Sequence, residues 1–175
     1  MKKNITLTGM MGAGKSLIAA KLFCFFNEFI AVDIDEVIEY HQNQSITQIF
    51  EQKGELYFRD LETNVLNKVY QQEGRIVALG GGAFEREENR QIAKDNSAVF
   101  YLKASAEVLF ERVKNAQNRP LLKAGFGVES VANILEKREK NYCLADYVIF
   151  TDNKNADLVV QEILGLVNDR IEIKS

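Results

Sequence analysis

The sequence is poor in the residues that build metal sites and covalent staples. Two cysteines, Cys24 and Cys143, and one histidine, His41, occur in 175 residues. They form no CxxC pair and no zinc spacing, which excludes zinc-ribbon and disulfide-framework classes; buried free thiols in a reducing cytosol are the expectation. His41 carries no visible role. Proline appears once, as Pro120. No apolar run approaches the roughly 20 residues of a membrane helix, so no membrane partner is expected. The basic start, Met1-Lys2-Lys3-Asn4, is followed by a segment broken by Gly9, Gly12, Gly14 and Lys15, so no secretory signal is expected and the protein is read as cytoplasmic. Excess positive charge is missing too. The formal net charge is −3, so bulk nucleic-acid binding is not expected and any anion site must be local.

What is present is an ordinary globular mixture, 46% apolar and 27% charged, long enough for one domain over 1–175 with a good core. Short, nearly continuous apolar runs at Ile5–Thr8, Phe29–Val32, Ile76–Leu79, Ala98–Leu102 and Tyr147–Phe150 read as strands covered on both faces. Helical patterns lie between them, near 15–27, 34–42, 46–52, 55–72, 86–95, 105–115, 128–144 and 155–168. Ser45 with Gln48 reads as a capping box. Repeated alternation of strand and helix implies an α/β fold in three layers, a mostly parallel sheet flanked by helices. Ligands of such sheets bind at the carboxyl ends of the strands.

The first strand runs into TGMMGAGKSL, where Gly9-x-x-x-x-Gly14-Lys15-Ser16 matches a phosphate-binding loop in full. Glycines let several backbone N–H groups point at one anion, and the following helix adds its positive end. Lys15 can reach outer phosphates and Ser16 can ligate Mg²⁺. A plain glycine turn explains the glycines but not Lys15-Ser16 at the required offset. After the second strand come Asp33 and Asp35. If the strand continues through them, both side chains share a face; one then suits Mg²⁺ and the other an accepting hydroxyl. Either could instead cap the next helix.

Gly80, Gly81 and Gly82 follow the third strand. Close approach of the backbone to a ligand accounts for three in a row, though a tight turn remains an alternative. Arg59 stands three residues before Glu62, in the spacing of a surface ion pair. Arg138 shares a helical stripe with Val131, Ile134, Leu135 and Tyr142; a cation there suits an anionic guest, or snorkels from the core edge. The stretch NAQNRPLLKAGFG, 115–127, reads as a mobile loop delivering Arg119, with a surface connection as the bland alternative.

Together GMMGAGKS (9–16), DID (33–35), FRDLE (58–62), LGGG (79–82), RPLL (119–122), Arg138 and DN (152–153) resemble shikimate kinase, a family with the nucleoside-monophosphate-kinase type of P-loop fold. They stand in the family's order along almost the whole chain. The resemblance implies a five-stranded parallel sheet in the order 2-3-1-4-5, a substrate-binding helical region about 34–62 and a lid about 113–126. It implies transfer of phosphate from Mg²⁺-bound ATP to the 3-hydroxyl of shikimate, in aromatic amino-acid biosynthesis, by a monomer. By that likeness Asp35, Lys15 and Arg119 are catalytic. Gly12, Ala13, Gly14, Lys15, Ser16, Leu17, Arg112, Arg119 and Asn153 bind ATP, with Arg112 on adenine. Asp35, Phe50, Phe58, Arg59, Gly80, Gly81, Gly82 and Arg138 bind shikimate, Glu62 orients Arg59, and Ser16 with Asp33 manages Mg²⁺.

The chain departs from the family pattern at Leu17, where a hydroxyl residue is usual, and in the 152–156 adenine loop. A third departure is Phe23-Cys24-Phe25-Phe26-Asn27, where a Leu-Gly helix ending is usual. Another small-molecule kinase, such as a gluconate kinase, and a non-catalytic nucleotide-binding homologue are the alternatives.

Overall fold

The computed structural model describes residues 3–26, 28–114 and 127–168. Five strands form one all-parallel sheet in the order β2-β3-β1-β4-β5. In chain order they are β1 (Ile5–Thr8), β2 (Ile30–Asp33), β3 (Arg75–Ala78), β4 (Ala98–Lys103) and β5 (Tyr147–Phe150). The helices are α1 (Lys15–Phe23), α2 (Ile34–Gln42), α3 (Ile46–Val69), α4 (Glu87–Asn96), α5 (Ala106–Val113), α6 (Val128–Tyr142) and α7 (Ala156–Asn168). A short 3₁₀ turn, Ala83–Glu85, precedes α4.

The central strand β1 is wholly buried, with Ile5 facing Ile76 on one side and Ala98 on the other. Its apolar run supplies the middle of the core, as a strand covered on both faces must. The expectation of full cover fails at the sheet edges: Ile30 on β2 and Phe150 on β5 are exposed, because an edge strand has neighbours on one side only. A polar knot lies within the core. Thr6 Oγ1 bonds the hydroxyls of Tyr70 and Ser97, and Ser97 Oγ donates to the Ala93 carbonyl. The hydroxyls of that cluster partner one another, as buried polar groups must.

The helix boundaries have local causes. Ser45 Oγ accepts from the Gln48 amide while the Gln48 side chain accepts from the Ser45 amide, a capping box that starts α3. The two helical segments expected at 46–52 and 55–72 are both present within α3, divided at Gly54, whose φ of 82° and ψ of 170° are not helical. Of the two alternatives for Asp33 and Asp35, strand continuation and helix capping, the structure takes the second: β2 stops at Asp33. Asp33 caps α2, accepting from the amides of Asp35 (3.0 Å) and Glu36 (3.4 Å), so Asp35 lies in the first helical turn. The thiols differ from expectation as well. Cys24 and Cys143 are free but exposed, each at the C-cap of its helix, where the side chain leaves the packed face. Of the three phenylalanines at 23–26, Phe26 is buried against Phe29 (centroids 4.9 Å apart), whereas Phe23 and Phe25 face solvent. No helix among the described residues is long and apolar enough to cross a membrane.

Candidate active site

The carboxyl ends of β1, β2 and β3 bring three segments together. The first is the loop between β1 and α1. Gly12 (φ 82°) and Gly14 (φ 92°) hold left-handed backbone that turns the loop into a cradle at the α1 N-terminus. A Cβ on Gly12 would lie 2.7 Å from Val113 Cγ1, so α5 packs directly on the loop. Arg112 of α5 reaches the Gly12 carbonyl (3.4 Å), the Thr151 hydroxyl (3.2 Å) and the Thr151 carbonyl (3.2 Å). It thus joins the loop to the end of β5, where Asn153 sits exposed with φ 59°. Lys15 Nζ donates to the carbonyls of Gly9 (2.9 Å) and Met10 (3.1 Å). Buried Ala13 anchors the loop, and Leu17 is 55% exposed. Ser16 Oγ donates to Asp33 Oδ2 at 2.5 Å, placing a hydroxyl and a carboxylate side by side at the cradle's edge.

The second segment is the Gly80–Gly82 turn, which lies against side chains of this chain. A Cβ on Gly80 would lie 2.5 Å from Asp35 Oδ1 and 2.6 Å from Glu62 Oε1. A Cβ on Gly82 would lie 2.5 Å from Arg59 Nη2. Gly81 backs onto the phosphate loop, its Cβ position 3.3 Å from the Met11 amide nitrogen. Its carbonyl accepts from Arg138 Nη1 (3.0 Å) and from the Tyr142 hydroxyl. Missing side chains are therefore what lets Asp35, Arg59, Glu62 and Arg138 gather on one stretch of backbone.

The third segment is α3 beyond its break. Arg59 pairs with Glu62 at 2.6 Å and with Glu55 at 3.0 Å. It lies over the rings of Phe58 (5.3 Å) and Phe50 (6.0 Å), whose centroids are 4.8 Å apart with their planes tilted by 43°. The spacing suggested a surface pair, but the Glu62 side chain is 1% exposed and that of Arg59 18%. Burial raises the Glu62 carboxyl to about 7; Arg59 opposes that rise, while Asp35 adds to it and Arg138 lowers it. Glu62 Oε1 has no hydrogen-bond partner among the described residues. The site thus gathers two carboxyl groups, Asp35 and Glu62, with two guanidinium groups, floored by glycine and walled by aromatic rings. Such a set suits a small ring carrying a carboxylate and hydroxyls.

Arg119 and nearly all of the expected lid, residues 115–126, lie outside the described residues. Sequence reasoning placed Tyr142 on an apolar stripe and missed its hydroxyl, which donates to Gly81. Its i,i+4 spacing from Arg138 was the available signal. Thr63, Arg86 and Asn89, whose side chains hydrogen-bond between α3 and the start of α4, were also missed, and no local pattern marks them.

Comparison with known proteins identifies the family. The family model for shikimate kinase matches residues 11–168. The shikimate kinase of a Sulfurihydrogenibium species is 40% identical over 172 residues, covering 96% of this chain and 99% of that protein. The one from Persephonella marina is 39% identical, covering 94% and 99%. A solved shikimate kinase from Acinetobacter baumannii, in complex with shikimate, superposes with a TM-score of 0.91 at 34% identity, covering 97% of this chain and 94% of that one. A gluconokinase from Sinorhizobium meliloti gives a TM-score of 0.63 at 14% identity, a likeness of fold alone. The chain belongs to the shikimate kinase family and is an ATP-dependent small-molecule kinase.

Proposed function

We propose that this chain transfers the γ-phosphoryl group of ATP to the 3-hydroxyl of shikimate, and that Asp35, Arg59 and Arg138 hold the acceptor. The observation that carries the reading is the convergence of those three side chains on Gly80–Gly82, which itself backs onto the phosphate loop. Arg59 and Arg138 grip the substrate carboxylate with the turn's backbone, and Phe50 and Phe58 line the ring's face. Glu62 orients Arg59. Asp35 accepts the hydroxyl proton as the hydroxyl oxygen bonds to phosphorus and the bond to the β-phosphate oxygen breaks, giving shikimate 3-phosphate and ADP.

The cradle of Gly12, Ala13, Gly14, Lys15 and Ser16 takes the phosphates, with Leu17 beside it. Arg112 and Asn153 border the adenine. Lys15 and Arg119 offset charge on the transferring group. The hydroxyl of Ser16 and the carboxylate of Asp33 are hard oxygen donors in contact, which fits Mg²⁺. When bound, that ion neutralises phosphate charge. The same reading makes the protein a cytoplasmic monomer in the route to aromatic amino acids, without nucleic-acid or membrane partners. The helical region about 34–62 forms the substrate side, and a lid about 113–126 brings Arg119.

Coupled ADP release with a panel of shikimate, quinate, gluconate and no acceptor tests this. Release should depend on shikimate. Equal or faster release with gluconate would overturn the substrate, and nucleotide binding without transfer to any acceptor would overturn the enzyme.

A further inference from the structure

The substrate-facing groups sit on α3 and on the Gly80–Gly82 turn, which are far apart in sequence. Their separation must be fixed by something, since Arg59 Nη2 lies only 2.5 Å from where a Gly82 Cβ would be. The first turn of α4 touches both. On one side, Asn89 Nδ2 donates to the Ala83 carbonyl (3.0 Å). Arg90 Nη1 donates to the carbonyls of Phe84 (2.8 Å) and Glu85 (2.6 Å). All three carbonyls of the 3₁₀ turn that follows Gly82 are thus held by two α4 side chains.

On the other side, Asn89 Oδ1 accepts from Thr63 Oγ1 (2.8 Å). Arg86 Nη1 donates to Thr63 Oγ1 (2.9 Å) and to the carbonyl of Arg59 itself (3.0 Å), and Arg86 pairs with Asp60 at 2.7 Å. Asn89 is fully buried and Thr63 nearly so, which makes these bonds costly to leave unmade. A network used only to hold the fold could attach anywhere along α3. This one attaches at the backbone of Arg59 and one helical turn on.

Resting on the substrate reading above, we propose that Asn89, Thr63 and Arg86 are positioning residues for the carboxylate end of the acceptor site. They set the register of α3 against the glycine turn, and with it the place of the Arg59 guanidinium. None touches substrate in this account. Loosening them moves Arg59 relative to Gly81 and Gly82, while the phosphate loop, which they do not contact, keeps its shape.

The test is steady-state kinetics of the full chain with T63V, N89L, R86M and T63S, alongside Tm. T63V, N89L and R86M should each raise the KM for shikimate about tenfold, while the KM for ATP stays within about twofold. T63S restores the hydroxyl and should return the shikimate KM to within about twofold of wild type. Arg86 is a third exposed, so R86M keeps the test alive if N89L does not fold. Three results overturn the proposal: a lowered Tm with an unmoved shikimate KM, a parallel rise in both KM values, or failure of T63S to rescue. Wild-type protein without shikimate-dependent ADP release would instead overturn the substrate reading, and this inference with it.

Discussion

Replacing Gly82 by alanine separates the two demands on this turn, backbone shape and side-chain room. Gly82 has φ −109° and ψ −7°, which alanine adopts without left-handed strain. The added Cβ would lie 2.5 Å from Arg59 Nη2, 2.7 Å from Nη1 and 2.8 Å from Cζ. An ordinary contact begins near 3.4 Å, so the guanidinium must retreat by about 1 Å. That retreat pulls on the 2.6 Å bond to Glu62 and moves the cation off the place from which it is proposed to hold the substrate carboxylate. A charge-assisted hydrogen bond contributes about 1.5–3 kcal/mol, and a displacement of about 1 Å can cost on the order of 100-fold. Gly82→Ala should therefore lower kcat/KM for shikimate about 100-fold, mostly through KM, and leave the KM for ATP within about twofold. Tm should fall by only a few degrees, since the moving group is the far end of a flexible side chain. Gly165→Ala, in α7 with open space around its Cβ, is the control and should match wild type in both KM values. An unchanged shikimate KM in Gly82→Ala, with alanine in place, would refute the assignment of Arg59 to the substrate.

Gly80→Ala meets Asp35 Oδ1 and Glu62 Oε1 instead and should lower kcat more than it raises either KM; a pure KM effect would remove Asp35 from the reacting end. Asp35→Asn should reduce kcat by about 100-fold or more while ATP affinity, read by calorimetry, stays within about twofold. Equal turnover would end the base role. Arg138→Ala should raise the shikimate KM about tenfold or more, and an unmoved KM would place Arg138 outside the pocket. Glu62 gives a pH prediction. Its folded value of about 7 exceeds the ordinary 4.5, so the native state keeps a proton that the unfolded chain has released. The stability this proton gives is present below about 4.5 and is lost as pH rises through about 7, by up to about 3 kcal/mol. Urea unfolding from pH 5 to 8 should show that decline in wild type and a flatter profile in Glu62→Gln; identical slopes would contradict it.

The parts legible in the sequence are those written in local spacing. The phosphate loop needs its glycines, lysine and serine within eight residues, and buried parallel strands need continuous apolar runs. The three glycines signalled close approach, but not by what. Their neighbours Asp35, Arg59 and Glu62 come from earlier elements that only folding brings to the turn. Glu62 three residues from Arg59 reads the same on a wet helix face as on a buried one, and tertiary packing decides between them. Asp33 could extend a strand or cap a helix, and the competition was settled by the two amides its carboxylate accepts from. Thr63, Arg86 and Asn89 look like ordinary helix and cap residues, because their function is long-range hydrogen bonding that leaves no period in the chain.

The central claim is that one small acidic alcohol sits between Asp35, Arg59 and Arg138 within reach of a bound nucleotide's terminal phosphate. Crystals grown with shikimate and a non-hydrolysable ATP analogue measure this directly. The account predicts ring density with its carboxylate against both guanidinium groups and a hydroxyl against Asp35. A ring bound elsewhere, or reversed with its carboxylate toward Asp35, would contradict it.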